Sequence, residues 1–214
     1  MLEIPLERSD TAPNISPIQL ERIVRIPVKK PDSKPIPNEY AIKDFDYENI
    51  NKIIFSCGTA MENTARTHVK NDEEELRDFL LATLNTHYQN VSGETFRKTG
   101  KTDIKIEFDN KAAFIGECKI WHGTKAFEQA IQQVLNYSTW RDTKVSIIVF
   151  NKENQSFNGV LEKIDLWVKE NVKSFEHTIA NVWDCRYYRQ DTNVEIRLNI
   201  LAFDMHVEQE NSNK

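Results

Sequence analysis

The chain has 214 residues, of which 39% are hydrophobic and 29% charged, which is enough to bury one core. A formal charge of −5 gives no global sign of a nucleic-acid or membrane binder. No apolar run approaches about 18 residues, and the N-terminus lacks the pattern of a signal peptide. We therefore expect a protein that is neither secreted nor membrane-spanning. The few cysteines are widely separated and lack metal-ligand spacing, which favours a reducing cytoplasm.

The first part of the chain is irregular in pattern. All of its prolines lie between Pro5 and Pro37, where they interrupt short strand-like runs. We interpret residues 1–45 as an N-terminal arm or as the tail of a truncated preceding domain. Residues 46–207 are predicted to form the main domain, and residues 208–214 a disordered tail.

Two helices are predicted next. The first begins near residue 46 and has an apolar face at helical spacing: Ile50, Ile53, Ile54 and Cys57. The second has Asn71 or Asp72 as N-cap and three glutamates in its first turn. Its apolar stripe is predicted to contain Leu76, Phe79, Leu80, Thr83 and Leu84. Glu73 shares the inward face of this helix, whereas Glu74 and Glu75 point progressively away from it.

A short strand and then a hairpin follow, with hairpin strands at about residues 101–108 and 112–120. If the loop consists of residues 109–111, Asp103 lies directly opposite Glu117. Alternation along the strand then places Glu117 and Lys119 on one face and Cys118 on the other. A two-residue turn would shift the register by one residue and spoil this pairing.

The rest of the chain alternates between helices and strands. A helix at 124–140 turns Phe127, Ile131, Val134 and Leu135 to the sheet and carries a polar row of Gln129, Gln133 and Tyr137. The remaining elements are a buried strand at 145–150, a helix at 158–172, and strands near 181–188 and 194–207. This order predicts an α/β (α+β) fold with a mixed central β-sheet flanked by helices.

The hairpin brings together side chains that suit phosphodiester chemistry. Mg²⁺ prefers oxygen ligands and is usually held by one or two carboxylates, which Asp103 and Glu117 provide. Lys119 can orient an attacking water or neutralise the charge that develops on a phosphate. The alternative is a surface ion-pair cluster, although the apolar run AAFIG directly before Glu117 argues against it.

The motifs that carry a resemblance follow one another in order: DEEELRDFLLATLN, GKTDI, GECK and a helix with QxxxY. Together they resemble the PD-(D/E)XK nuclease superfamily, which has the restriction-endonuclease-like fold. The passages GETFRKTGKTDIKI, ECKIWHG and NYSTWRDTKVSIIVFNK are also similar to a group of mostly uncharacterised bacterial proteins with this domain. The resemblance runs from about residue 40 to residue 207. Thr102 stands where the superfamily has its proline.

The resemblance implies a role for individual residues. Asp103 and Glu117 match the metal ligands, and Cys118 matches the variable position whose backbone carbonyl often completes the metal shell. Lys119 matches the catalytic lysine. Gln133 and Tyr137 match a pair that positions the substrate or the lysine in some members. The helical acid is Glu73, with Glu74 and Glu75 left open.

The resemblance therefore implies a Mg²⁺-dependent deoxyribonuclease in which Mn²⁺ can replace Mg²⁺. We expect an endonuclease, and exonuclease activity stays open. RNA cleavage remains the alternative within the same chemistry. A non-catalytic module that binds nucleic acid or protein remains the alternative outside it. Many proteins of this fold cut as dimers, so a homodimer and an additional recognition domain both stay open. Roles in defence against foreign DNA and in DNA repair are equally compatible with the motifs.

Overall fold

A computed structural model describes residues 42–89, 91–97, 100–108, 111–137, 144–189 and 194–208. The predicted arm and the predicted C-terminal tail lie almost entirely outside these ranges. The helices are Asp44–Asn63 (α1), Glu73–Asn85 (α2), Thr124–Tyr137 (α3) and Phe157–Asn171 (α4), with a short 3₁₀ helix at Ala65–His68. The strands are Val91–Arg97 (β1), Gly100–Phe108 (β2), Lys111–Ile120 (β3), Lys144–Asn151 (β4), Ser174–Ile179 (β5), Val182–Arg189 (β6) and Val194–Asp204 (β7).

The seven strands form one mixed sheet in the order β1-β2-β3-β4-β7-β6-β5. The central strands β3, β4 and β7 are parallel neighbours, and the outer pairs are antiparallel. The chain passes from β3 to β4 through α3, which is the usual way to connect parallel strands. The predicted class, a mixed α/β sheet flanked by helices, is confirmed.

The core has two layers, one on each face of the sheet. Helices α1 and α2 bury their apolar residues, among them Ile50, Leu76 and Leu80, on what we call the α1–α2 face. The opposite face is covered by α3 and α4, which bury Phe127 and Ile164. Strand β4 is buried on both sides, in keeping with its continuous apolar run. No helix in the described ranges is long and apolar enough to cross a membrane.

Helix α2 has a well-defined start, which matters for the site. The Asp72 side chain accepts a hydrogen bond from the Glu75 backbone N–H at 2.9 Å, and the Glu75 carboxylate accepts one from the Asp72 N–H at 3.0 Å. This reciprocal capping box confirms Asp72 as N-cap and places Glu73 first in the helix. The predicted apolar stripe was wrong at Phe79, which is 46% exposed and packs edge-on against His68.

Two strand predictions needed correction. The prediction had no element at β5, which pairs only with β6 at the edge of the sheet and is largely exposed. Such a strand lacks the buried alternation by which strands are recognised. The last strand was predicted to reach residue 207, but β7 ends at Asp204. Helix α3 is described as far as Tyr137, and its predicted extension to residue 140 lies outside the described residues.

The hairpin between β2 and β3 differs from its predicted form near the turn. Lys111 belongs to β3 and pairs with Phe108, so the predicted three-residue loop was wrong; residues 109–110 lie outside the described ranges. A bulge then adds Ala113 to β3 between the Phe114 and Ala112 pairs. This extra residue restores the predicted register, with Ile104 opposite Gly116.

Candidate functional site

The candidate site lies where β2 and β3 separate. Their pairing runs from the turn as far as Ile104 and Gly116. Beyond that pair β2 continues as a partner of β1, and β3 continues as a partner of β4. Asp103 and Glu117 are the next residues on the two strands. They therefore stand at the opening of a fork in the sheet, which we call the β2–β3 fork.

Carboxylates occupy the edge of β3 that β2 leaves open. The Cys118 backbone N–H donates to Asp103 Oδ2 at 2.9 Å, and the Ile120 N–H donates to Glu73 Oε2 at 2.9 Å. The N–H of Trp121 points the other way and donates to the Phe150 carbonyl of β4 at 2.9 Å. The side chains of Asp103 and Glu73 thus accept the hydrogen bonds that a neighbouring strand would otherwise accept. Their carboxylates therefore lie along the open edge of β3.

Helix α2 supplies the acid that holds the lysine. Lys119 Nζ lies 2.7 Å from Glu73 Oε1, and both side chains are only partly buried, at 28% and 30% exposed. The capping box sets the position of Glu73, because it fixes where the helix begins. Glu74 and Glu75 are exposed, and Glu75 serves the cap. The structure thus brings Glu73 of the three candidate glutamates to the site.

Glu117 is the most unusual group at the fork. It is 1% exposed, and its Oε2 has no hydrogen-bond partner among the described residues. Burial raises the pKa of Glu117 to about 9; repulsion from Asp103 and Glu73 adds to this, and the charge of Lys119 opposes it. A buried carboxyl oxygen without a partner is costly unless something binds it.

The pKa values of Asp103 and Lys119 are shifted by the same environment. Burial, together with the charge of Glu73, raises the pKa of Asp103 despite the Cys118 N–H, Arg77 and Lys119. Burial alone would lower the pKa of Lys119, but the hydrogen bond and charge of Glu73 and the charges of Glu117 and Asp103 raise it instead. Lys119 is therefore a cation here, suited to donating hydrogen bonds rather than to accepting a proton.

The donor set fits a hard divalent cation. The ionised form of Glu117, whose Oε2 lacks a partner among the described residues, is disfavoured by burial and by the charge of Asp103, and a bound cation would stabilise it. No group of three or more His, Cys, Asp or Glu side chains in the described part of the chain is arranged to hold a metal. Asp103 and Glu117 supply the one or two carboxylates that a Mg²⁺ ion with water and phosphate ligands needs.

Cys118 takes part in the candidate site through its backbone and not through its thiol. Its side chain packs among the buried residues of the α1–α2 face, opposite to the side of β3 that carries Glu117 and Lys119. Burial raises the pKa of the Cys118 thiol well above its usual value, and the nearby carboxylates add to the effect. The thiol is therefore neutral and a poor metal ligand.

The predicted polar row on α3 lies apart from these contacts. Gln133 is partly buried and lines a groove along the helix, together with Gln129, Gln132, Asn136 and Arg189. The described contacts of the carboxylates and of Lys119 do not include it. The side chain of Tyr137 lies outside the described part of the structure. The role that the resemblance implies for this pair stays a prediction.

Sequence reasoning missed Arg77. This residue is 6% exposed, and its Nη1 lies 3.9 Å from Asp103 Oδ1. The guanidinium also contacts the neighbouring Asp78 at 2.9 Å. A signal was present in the sequence: Arg77 follows Glu73 by one helical turn and stands beside Leu76 in the buried stripe. A charged residue at such a position needs a reason.

Comparison with known proteins found no match among family models, curated proteins or solved structures.

Proposed function

We propose that this protein is a Mg²⁺-dependent nuclease that hydrolyses phosphodiester bonds in DNA, acting as an endonuclease. The supporting observation is Glu117, whose buried oxygen has no partner among the described residues and lies beside a second carboxyl and a lysine. A purely structural ion-pair cluster would give each buried carboxyl oxygen a partner. A cation bound at the fork would supply the missing partner and would favour the ionised carboxylates.

In this proposal Asp103 and Glu117 hold the cation, with the Cys118 carbonyl as a further ligand. Bound Mg²⁺ would supply charge neutralisation for the phosphate and a water of lowered pKa. The Lys119 ammonium donates hydrogen bonds to the attacking water or to a phosphate oxygen, where negative charge builds up. Glu73 keeps the ammonium charged and aimed along the open edge of β3.

The preference for DNA over RNA rests on the resemblance to the nuclease superfamily, most of whose members cut DNA. The same resemblance is the basis for Mn²⁺ as a replacement, for a homodimer and for an added recognition domain. Each remains a prediction that the cleavage experiment and a measurement of oligomeric state can test.

The test is incubation of the purified protein with supercoiled plasmid, linear duplex, single-stranded DNA and RNA in Mg²⁺, Mn²⁺ or EDTA. Lys119→Ala is compared with Lys163→Ala, the same change at an exposed lysine of α4. We expect nicked or linear plasmid in Mg²⁺, none in EDTA, and a loss of about a hundredfold or more only in Lys119→Ala. Metal-dependent cleavage that survives in Lys119→Ala contradicts the proposed mechanism, and preferential cleavage of RNA contradicts the proposed substrate.

A further inference from the structure

Arg77 is a buried cation beside the β2–β3 fork, and the proposed nuclease mechanism gives it no role. Its side chain is 7% exposed, whereas that of its neighbour Asp78 is 64% exposed. An ion pair with an exposed aspartate can form at the surface, where the arginine keeps its hydration. The Asp103 side chain is 20% exposed, so of these two contacts the one with Asp103 is the more buried.

Helix α2 reaches both arms of the fork with two side chains one turn apart. Glu73 binds Lys119 and the Ile120 N–H of β3, and Arg77 approaches Asp103 of β2. The helix thus spans the gap that opens where the two strands stop pairing. Residues four apart on a helix lie on one face, so the two contacts are set by a single rigid element.

Strand β1 makes room for this arrangement at Gly93. A Cβ at this position would lie 2.6 Å from Leu81 Cδ1 and 3.6 Å from Arg77 Nε. A larger residue here would displace the end of the Leu81 side chain, so the glycine lets α2 pack closely on β1. The second distance places the Arg77 side chain over β1 at Gly93, on its way to Asp103 of β2.

From this geometry we infer that Arg77 is a positioning residue for Asp103. Its guanidinium lies 3.9 Å from one carboxylate oxygen of Asp103, within reach of charge attraction but not of a hydrogen bond, while the Cys118 N–H donates to the other oxygen at 2.9 Å. The two contacts together keep the carboxylate at the open edge of β3, near Glu117. The effect of Arg77 on catalysis rests on the proposed nuclease function, whereas its effect on the position of Asp103 does not.

The test uses Arg77→Met, which keeps the length of the apolar stem, and Arg77→Lys, which keeps the charge. Asp78→Ala is the matched control, because it removes the exposed partner of the same guanidinium. Two quantities are measured: kcat and KM for plasmid cleavage, and the hydrogen-exchange rate of the Cys118 amide by NMR. The Cys118 rate is divided by that of the Ile148 amide in central strand β4, which cancels changes in global stability.

We expect kcat to fall about ten- to hundredfold in Arg77→Met with KM within about threefold, since partners that orient metal ligands have effects of this size. The Cys118 exchange ratio should rise, Arg77→Lys should recover part of both losses, and Asp78→Ala should resemble wild type. Unchanged kcat and exchange ratio in Arg77→Met overturn the inference. If Arg77→Met does not fold, the same two measurements on Arg77→Lys decide. If the wild type cleaves nothing, the proposed function fails, and the exchange ratio alone decides on Arg77.

Discussion

Two charged regions at different levels of the parallel strands show how a structural cluster differs from a candidate site. At the start of β4 and β7, Arg197 binds Asp184 through two nitrogens and also contacts Asp44 and Glu48 at 3.2 and 3.0 Å. Lys144 adds a further contact with Asp44 at 3.0 Å. Every acid in this Arg197 cluster has a close cation.

The β2–β3 fork has the opposite balance. Its three carboxyls are those of Glu73, Asp103 and Glu117. Lys119 is at hydrogen-bond distance from Glu73, and Arg77 lies 3.9 Å from Asp103. The pKa values also differ: the hydrogen bond and charge of Lys144 lower the pKa of Asp44, whereas burial is the main cause that raises the pKa values of Asp103 and Glu117. Complete pairing indicates a role in stability, while a buried carboxyl oxygen that lacks a partner among the described residues marks a candidate position for a cation.

The largest effect should come from changing Glu117 itself. Glu117→Gln keeps the shape of the side chain but removes its ability to carry charge. We expect cleavage to fall about a hundredfold or more and Mg²⁺ binding by calorimetry to be lost. Stability at pH 7 should not fall, because the carboxyl with a pKa of about 9 is already uncharged there.

The control for this change is Glu74→Gln, at an exposed glutamate in the first turn of α2. It should leave cleavage within about twofold of wild type, since surface substitutions away from a site have small effects. Wild-type cleavage and Mg²⁺ affinity in Glu117→Gln would remove the proposed metal site.

The converse experiment breaks the Arg197 cluster. Arg197→Met leaves partly buried acids without their common cation, and we expect a loss of about 1–3 kcal/mol in the free energy of unfolding. Urea denaturation measures that loss. Cleavage under conditions where the variant is folded should stay unchanged, because the described contacts of Arg197 and Lys144 include none of Asp103, Glu117 and Lys119. A tenfold loss of kcat in the folded variant would show that the two regions are not separate in function.

The smallest effect is a dependence of stability on pH in the absence of metal. Between pH 4.5 and about 9 Glu117 holds a proton in the folded protein but loses it in the unfolded chain, so rising pH favours unfolding. One such group contributes at most about 1.4 kcal/mol per pH unit. We expect denaturation midpoints to fall from pH 6 to pH 8, Glu117→Gln to flatten that fall, and Mg²⁺ to oppose it at pH 8. A slope that is equal in Glu117→Gln and wild type would mean that Glu117 does not cause it.

Local patterns in the sequence predicted much of the candidate site. Alternation along β3 placed Glu117 and Lys119 on one side and Cys118 on the other, and helical spacing from Leu76 selected Glu73 as the inward glutamate. Both rules depend only on the geometry of one element. Arg77 escaped the same reasoning because an arginine on a helix is usually solvated, and only the approach of β2 shows what it contacts.

The hairpin shows where such rules stop. A three-residue loop was assumed, and the register came out as predicted only because the bulge at Ala113 compensates for the shorter connection. Neither the bulge nor edge strand β5 has a pattern that periodicity can detect. Their positions depend on which strands lie next to them, and that is a property of the assembled sheet.

The sequence by itself determined the mixed α/β class, the order of the acidic and basic groups and the face of each strand that carries them, because these follow from spacing along the chain. The tertiary structure decided that β2 and β3 part at Asp103, that α2 places Glu73 and Arg77 at the opening, and that Glu117 is buried. These features arise from contacts between residues far apart in sequence. They are also what gathers a set of charged residues around a buried carboxyl oxygen that has no partner among the described residues.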